Sequence, residues 1–383
     1  SKFTSLIVIL TIISQTACTL TNKMTSSQRA PIKVEKWGEI NGQKIRLWTL
    51  TNENGLILKA SNYGATLTAL HLPDSEGVMA DVLLGFDALS SYQADHPYMG
   101  GIVGRYSNRI GHGKFTIDGR EYFIPLNHGQ HVLHSGPRTF DKAYWDSEAT
   151  MTNQGPKITF TRKSPDGEQG FPGNLDVSVS YTLTNQNELI TQIKARTDQA
   201  TFVSIIQHAY WNLGGHNSGT ILDHEVQIYA DHCTEVTDEF ISTGELTALA
   251  GTPTDFKTAK AIGTDIDYYD GKDGRPWGYD HNYVILGDPH SLRKVATVTH
   301  PPSGRTMTLS SNQPGLQFYT GSYLDGSLLG KDQHAYETFA GFNMETQAYP
   351  NSPNIPHFPS KILRPGEEYN HLMVTAFGTK NIN

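Results

Sequence analysis

The sequence has little cysteine, no sustained helical stripe and only one substantial apolar run, and each shortage removes a class of protein. Cys18 and Cys233 are the only cysteines in 383 residues. A disulfide framework is therefore excluded, and if Cys18 is removed or acylated no intrachain bridge remains, so stability must come from a core. The apolar run 6–13, preceded by Lys2, is too short to cross a bilayer as a permanent helix. No stretch keeps a 3.6-residue period for more than a few turns, and no fixed-period repeat suggests a propeller or solenoid. Charge of one sign is not concentrated either. With 30 Lys and Arg scattered among 38 Asp and Glu, for a net charge of −8, no basic stripe offers itself to a phosphate backbone, so nucleic acid is not an expected partner.

What the sequence does have is β-strand alternation and turns. Hydrophobic residues make up 37% and aromatics 10%, enough for a large core, while 36 Gly and 19 Pro call for many turns. Val177, Val179 and Tyr181 alternate with Ser178, Ser180 and Thr182, the period-two pattern of a half-buried strand. Comparable runs fall at 45–51, 55–62, 115–117, 158–161, 189–195 and 201–206. They continue at 225–229, 283–286, 295–299, 306–309, 316–320 and 372–377. Asn41-Gly42, Asn54-Gly55 and Asp118-Gly119 sit between runs and suit hairpin turns, because Asn and Gly tolerate positive φ. The pattern predicts an all-β protein, a large antiparallel β-sandwich. Residues 1–18 have the shape of a signal peptide and predict an exported, periplasmic or secreted protein. Ala17 before Cys18 adds a candidate lipoprotein anchor at Cys18, with Gln15 a poor fit to that motif. Residues 19–30, rich in Ser and Thr, read as a flexible tether, and 31–383 as a single domain.

Several segments are denser in polar and aromatic residues than a strand requires: 104–110, 133–136, 207–213, 279–283 and 345–347. Asn, Arg, Asp and His beside Trp and Tyr suit a sugar pocket, since hydroxyls need directional partners and the apolar ring faces need aromatic surface. Glu345 follows Phe342-Asn343-Met344 on an apparent strand, where an inward carboxylate is costly unless paired or functional. Taken singly, each candidate has a structural alternative. Arg109 could pair with a surface carboxylate, His134 and His208 could be satisfied structural histidines, Asp280 could be a turn residue, and Tyr210 and Trp211 could be core. Gly100-Gly101-Ile102-Val103-Gly104 lacks the βαβ surroundings of a nucleotide loop. His128, His131 and His134 recur every third residue, but the Gly-containing, turn-like segment and the lack of an HExxH or cysteine ligand set argue against a metal site.

Read together and in order, the motifs resemble the aldose 1-epimerase (galactose mutarotase) family. The resemblance rests on Asn62-Tyr63-Gly64-Ala65, Gly104-Arg105-x-x-Asn108-Arg109-Ile110 and Ser164-Pro165-Asp166-Gly167-Glu168-x-Gly170-Phe171-Pro172-Gly173. His208-x-Tyr210-Trp211-Asn212-Leu213 and Glu345-Thr346-Gln347-x-x-Pro350 complete it, and it runs from about Gly38 to the C-terminus. It implies a galactose mutarotase-like supersandwich, a shallow sugar cleft, no cofactor and a small aldose as partner. Carried over by motif, it implies Glu345 as general base, His208 as general acid, and Asn108, Arg109, His134 and Asp280 as residues that bind and orient the sugar. A carboxylate base with a protonated imidazole acid would suit the chemistry near neutral pH. Four departures stand out: Ser135 where a second Gly is usual, Gln207 and Ala209 around His208, and Asn351 after Pro350. They are expected to affect sugar preference rather than reaction type. The rival readings are a non-catalytic sugar-binding protein on the same fold and a glycosidase using Asp280 and Glu345 as a carboxylate pair. A sugar-phosphate epimerase lacks the basic cluster it would need.

Overall fold

The computed structural model describes residues 30–269, 277–359 and 362–380. The apolar run 6–13, Cys18 and all but the last residue of the tether lie outside the described residues. Period-two patterning builds the main sheet. Pro156–Ser164, Leu175–Leu183 and Glu188–Thr197 are successive antiparallel strands; buried positions alternate with half-buried or exposed ones along most of the first and third and the first half of the second, whose last five residues are all buried. Phe160, Val179 and Ile193 lie on their inner face with no exposed surface. Each such burial contributes about 1.5–3 kcal/mol. Across the sheet the spatial order is Asp146–Met151, these three strands, Tyr369–Thr379, Arg305–Ser311, Arg293–Thr299, Glu225–Ile228 and Lys260–Ala261, nine strands in all.

Two five-stranded antiparallel sheets complete the layers. The first runs in chain order through Ile32–Ile40, Gln43–Thr51, Ile57–Ser61, Thr66–Pro73 and Met79–Asp81. Its first hairpin turns at Asn41 and Gly42, with φ of 51° and 78°, and the hairpin of Lys114–Ile117 with Arg120–Phe123 turns at Asp118 and Gly119, with φ of 50° and 81°. Both have the paired positive φ that matches a tight turn to strand twist. The second sheet orders Ser242–Ala248, Ala230–Val236, Asp280–Ile285, Gly315–Tyr319 and Asn343–Gln347. Among the described residues the one α-helix is the short Leu89–Gln93, and no helix is long and apolar enough to cross a membrane.

One expected strand divides. The run 201–206 splits into Thr201–Phe202, paired with Ile362–Leu363, and Ile206–Gln207, paired with Ile102–Val103. Between them the Ser204 amide donates to the Arg105 carbonyl and the Ser204 carbonyl accepts from the Ser107 amide. The whole run is buried, so no alternation ties it to one sheet.

Candidate active site

Two of the strands that hold the site are buried along their whole length. All five residues of Gly315–Tyr319 and of Asn343–Gln347 are shielded from solvent, although the second strand carries Asn343, Glu345 and Gln347. Period two puts these three on one face and sends Met344 and Thr346 to the other, where Met344 joins the apolar core and the Thr346 hydroxyl meets His371 Nε2 at 2.7 Å. Register then builds a polar row: Glu345 faces Gln317, Gln317 faces Asn282, and Asp280 faces Tyr319. Gln317 donates to Asp280 Oδ1 at 2.7 Å, and Gln347 donates to Asn282 Oδ1 at 3.0 Å.

His208 reaches this face from another part of the chain. Beyond Ile206–Gln207 its amide donates to the Gly101 carbonyl and its carbonyl accepts from Gly100, while Trp211 and Phe342 exchange backbone hydrogen bonds. That places His208 Nε2 3.2 Å from Glu345 Oε1, with both side chains buried. Glu345 Oε2 is buried and has no hydrogen-bond partner. On the opposite wall, Arg109–Ile110 pairs with Val132–Leu133, and the His134 amide donates to the Asn108 carbonyl. The Asn108 amide returns a bond to His134 Nδ1 at 3.1 Å. A backbone N–H can only donate, so neutral His134 carries its proton on Nε2. The His134 and His208 rings meet edge to face at 5.2 Å, with Tyr98 against both. The Arg109 guanidinium lies over the Phe240 ring at 5.2 Å, and its Nε is buried without a partner.

These groups line one cleft of about 530 Å³, which contains all six expected residues: Asn108, Arg109, His134, His208, Asp280 and Glu345. Its size suits a small polar ligand. Gln317, Tyr98, Tyr210, Tyr319 and His128 line it too. Gln317 gave no signal in sequence because its importance comes from facing Glu345 across two strands. Tyr210, expected in the core, is buried and still edges the cleft, whereas Trp211 packs in the apolar core.

Burial sets the electrostatics. It drives the Glu345 carboxyl well above its ordinary value, reinforced by the negative charge of Asp280 and opposed by Arg109. Burial also pulls His208 down to about 3 and His134 well below its usual range. Burial thus works against the expected protonated imidazole and favours a neutral His208 ring, which would donate from a neutral N–H.

The departures from the family pattern are structural. Ser135, at φ 72°, accepts from the Tyr106 amide at 2.7 Å and donates to the Tyr106 carbonyl at 2.9 Å. Gln207 bridges the Gly100 carbonyl and the Ala209 amide. Asn351 Oδ1 accepts from the Gly111 amide, and the Asn351 amide donates to the Arg109 carbonyl. None of Ser135, Gln207, Ala209 and Asn351 lines the cleft. Arg105 is likewise a scaffold residue, donating to Ser164 Oγ and to the carbonyls of Ser164, Pro165, Pro172 and Gly173. The 164–173 motif is thus a loop wrapped around a buried guanidinium.

The three regularly spaced histidines do not converge. His131 accepts from the His112 amide and meets Glu239 at 3.1 Å, away from the cleft that His128 and His134 line. Among the described residues, two groups bring three ligand atoms within 4.8 Å of one another: His134, His208 and Glu345, and Asp223, His224 and His300. In the second group, His224 Nε2 accepts from the Leu213 amide and Nδ1 faces Asp223, so hydrogen bonds already occupy both nitrogens.

The family model for aldose 1-epimerase matches residues 46–375, a span that includes every residue of the cleft face. The chain belongs to the aldose 1-epimerase family. It is 42% identical over 310 residues to a galactose mutarotase of Bos taurus, covering 81% of this chain and 87% of the relative. It is 34% identical over 340 residues to an aldose 1-epimerase of Escherichia coli (strain K12), covering 88% of this chain and 96% of the relative. In three dimensions it is similar to an aldose epimerase homologue from C. elegans, with a TM-score of 0.79 and 30% identity over 87% of this chain and 98% of the other. A galactose 1-epimerase from Lactobacillus acidophilus NCFM gives a TM-score of 0.80 and 25% identity, covering 91% and 99%. The all-β sandwich expected from sequence is thus the architecture of these aldose epimerase structures.

Proposed function

We propose that this aldose 1-epimerase interconverts the α and β anomers of a free aldohexose such as galactose or glucose, with Glu345 as base and His208 as acid. The carrying observation is the buried Glu345–His208 contact at 3.2 Å, which leaves Glu345 Oε2 unpartnered in the cleft wall. Mutarotation asks for a proton to leave the anomeric hydroxyl and for one to arrive at the ring oxygen on the same carbon. Glu345 takes the first and His208 gives its Nε2 proton to the second. The contact between them lets the proton on Glu345 pass back to Nε2, so the imidazole never accumulates negative charge. The C1–O5 bond breaks, the aldehyde turns about C1–C2, and the reverse steps close the ring to the other anomer. Arg109 and His134 Nε2–H supply donors toward the oxygens where charge develops, and Asp280, held by Gln317, accepts from a sugar hydroxyl.

A non-catalytic sugar-binding protein would need neither an unpartnered buried carboxylate nor a histidine in contact with it, and a glycosidase using Asp280 and Glu345 would give His208 no task. The names of the relatives support galactose as a substrate. Polarimetry of freshly dissolved α-galactose and α-glucose tests the reading: the protein should speed the approach to equilibrium, and binding without acceleration would contradict it. Lys2, the apolar run and Ala17-Cys18 support export of the enzyme, with fractionation of expressing cells as the test; activity confined to the cytoplasm would refute that part.

A further inference from the structure

Asn343 lies on the same strand face as Glu345, two residues away, with no exposed surface. Its amide nitrogen donates to the Ala209 carbonyl at 2.9 Å and lies 3.1 Å from His208 Nδ1, while its Oδ1 has no partner. A carbonyl can only accept, so the Ala209 oxygen fixes which end of the amide is NH₂, and the second amide hydrogen points at Nδ1. Nδ1 must then be the acceptor, and the single proton of the neutral ring sits on Nε2, the nitrogen that faces Glu345.

We infer that Asn343 is a positioning residue that sets the tautomer of His208, holding its proton on the nitrogen that serves the reaction. The inference rests on the reading of His208 as the acid. Without the amide, the ring could place its proton on Nδ1 and turn an empty Nε2 toward the sugar, where it could donate nothing. Adding a proton at Nδ1 would set one N–H against another, so Asn343 also works with burial to keep the ring uncharged. Around the rest of the ring, Glu345 meets Nε2, Tyr98, His134 and Tyr210 contact it as rings at 5.2–5.4 Å, His96 acts through its charge, and a hydrogen bond with the backbone of His208 itself partly offsets burial by favouring the charged ring.

Histidine-selective ¹⁵N NMR of the wild-type enzyme tests the assignment without any substitution. For His208 it should show a protonated Nε2 and an unprotonated Nδ1, and the opposite pattern overturns the inference. Polarimetric kinetics of Asn343→Leu and Asn343→Asp test its consequence. Loss of the donor in Asn343→Leu should lower kcat by roughly 10- to 100-fold, less than the ~10²–10⁴-fold an acid itself supplies, with KM nearly unchanged. In Asn343→Asp the carboxylate should attract a proton to Nδ1 and move the histidine's titration to higher pH. Wild-type kcat in folded Asn343→Leu, or an unmoved ¹⁵N pattern in folded Asn343→Asp, also overturns it. If the wild-type protein does not accelerate mutarotation, the functional reading fails, while the NMR still decides whether Asn343 sets the tautomer.

Discussion

A single carboxylate at position 345 bears on both activity and stability. Burial and Asp280 hold its folded pKa well above the ordinary carboxylate value. Between the unfolded and the folded pKa the unfolded chain has released a proton that the native protein keeps, so stability falls as pH rises through that window. Glu345→Gln carries no such charge. It should lose most activity and melt at a higher temperature than wild type at pH 7, with the gain shrinking as pH falls toward the ordinary carboxylate value and gone below it. Thermal melts across pH check this, and a variant less stable at every pH would contradict it. Because Asp280 pushes the same pKa upward, Asp280→Asn should move the acid limb of the kcat profile to lower pH, whatever it does to KM. Glu345 was legible in sequence, since a carboxylate on an apolar strand must be paired or put to use. Gln317 and Asn343 were not, because amides on strands are common and these two acquire meaning only when the register places them against Glu345 and His208.

At the scale of elements, the strands with clean alternation were readable and the doubly buried ones were not. Leu175–Leu183 contains the whole Val, Ser and Tyr alternation of 177–182, whose polar positions remain partly open to solvent only in its first half. The run 201–206 is apolar or small throughout and buried on all sides, so its composition could not reveal that it changes partner at Ser204. The 164–173 motif shows the same limit differently. Its Pro, Gly and Asp spacing carried only the family resemblance, and the structure makes it a cradle of acceptors for Arg105. Arg105→Leu should leave several buried carbonyls without donors and destabilise the protein by about 2–4 kcal/mol, while a folded fraction keeps a near-normal KM. Chemical denaturation monitored by tryptophan fluorescence measures the first and polarimetry the second; unchanged stability would remove Arg105 from the scaffold.

For the whole molecule, the described fold begins with Ile32–Ile40, whose partner strand Gln43–Thr51 brings Trp48 and Leu50 into the main core. A protein starting at residue 31 should therefore fold and retain kcat/KM within about twofold. A large loss of activity or of cooperative unfolding would show that the preceding segment belongs to the domain. The second five-stranded sheet, the Arg109–Ile110 and Val132–Leu133 pair and loops between residues 95 and 345 meet in one cleft, and only this closure unites Asn108, Arg109, His134, His208, Asp280 and Glu345. Their separate sequence signals were ambiguous, whereas their order along the chain already pointed to the family. The push of His208 toward its neutral form was out of reach of both, because it depends on burial that only the assembled molecule supplies.

The central claim is that Glu345 and His208 move the protons of ring opening. Its most direct test is the initial polarimetric rate on α-galactose for wild type, Glu345→Gln and His208→Asn, each shown to be folded. The account predicts rapid mutarotation by the wild type and a loss of about 10²-fold or more in each variant. Wild-type rates in either one would contradict it.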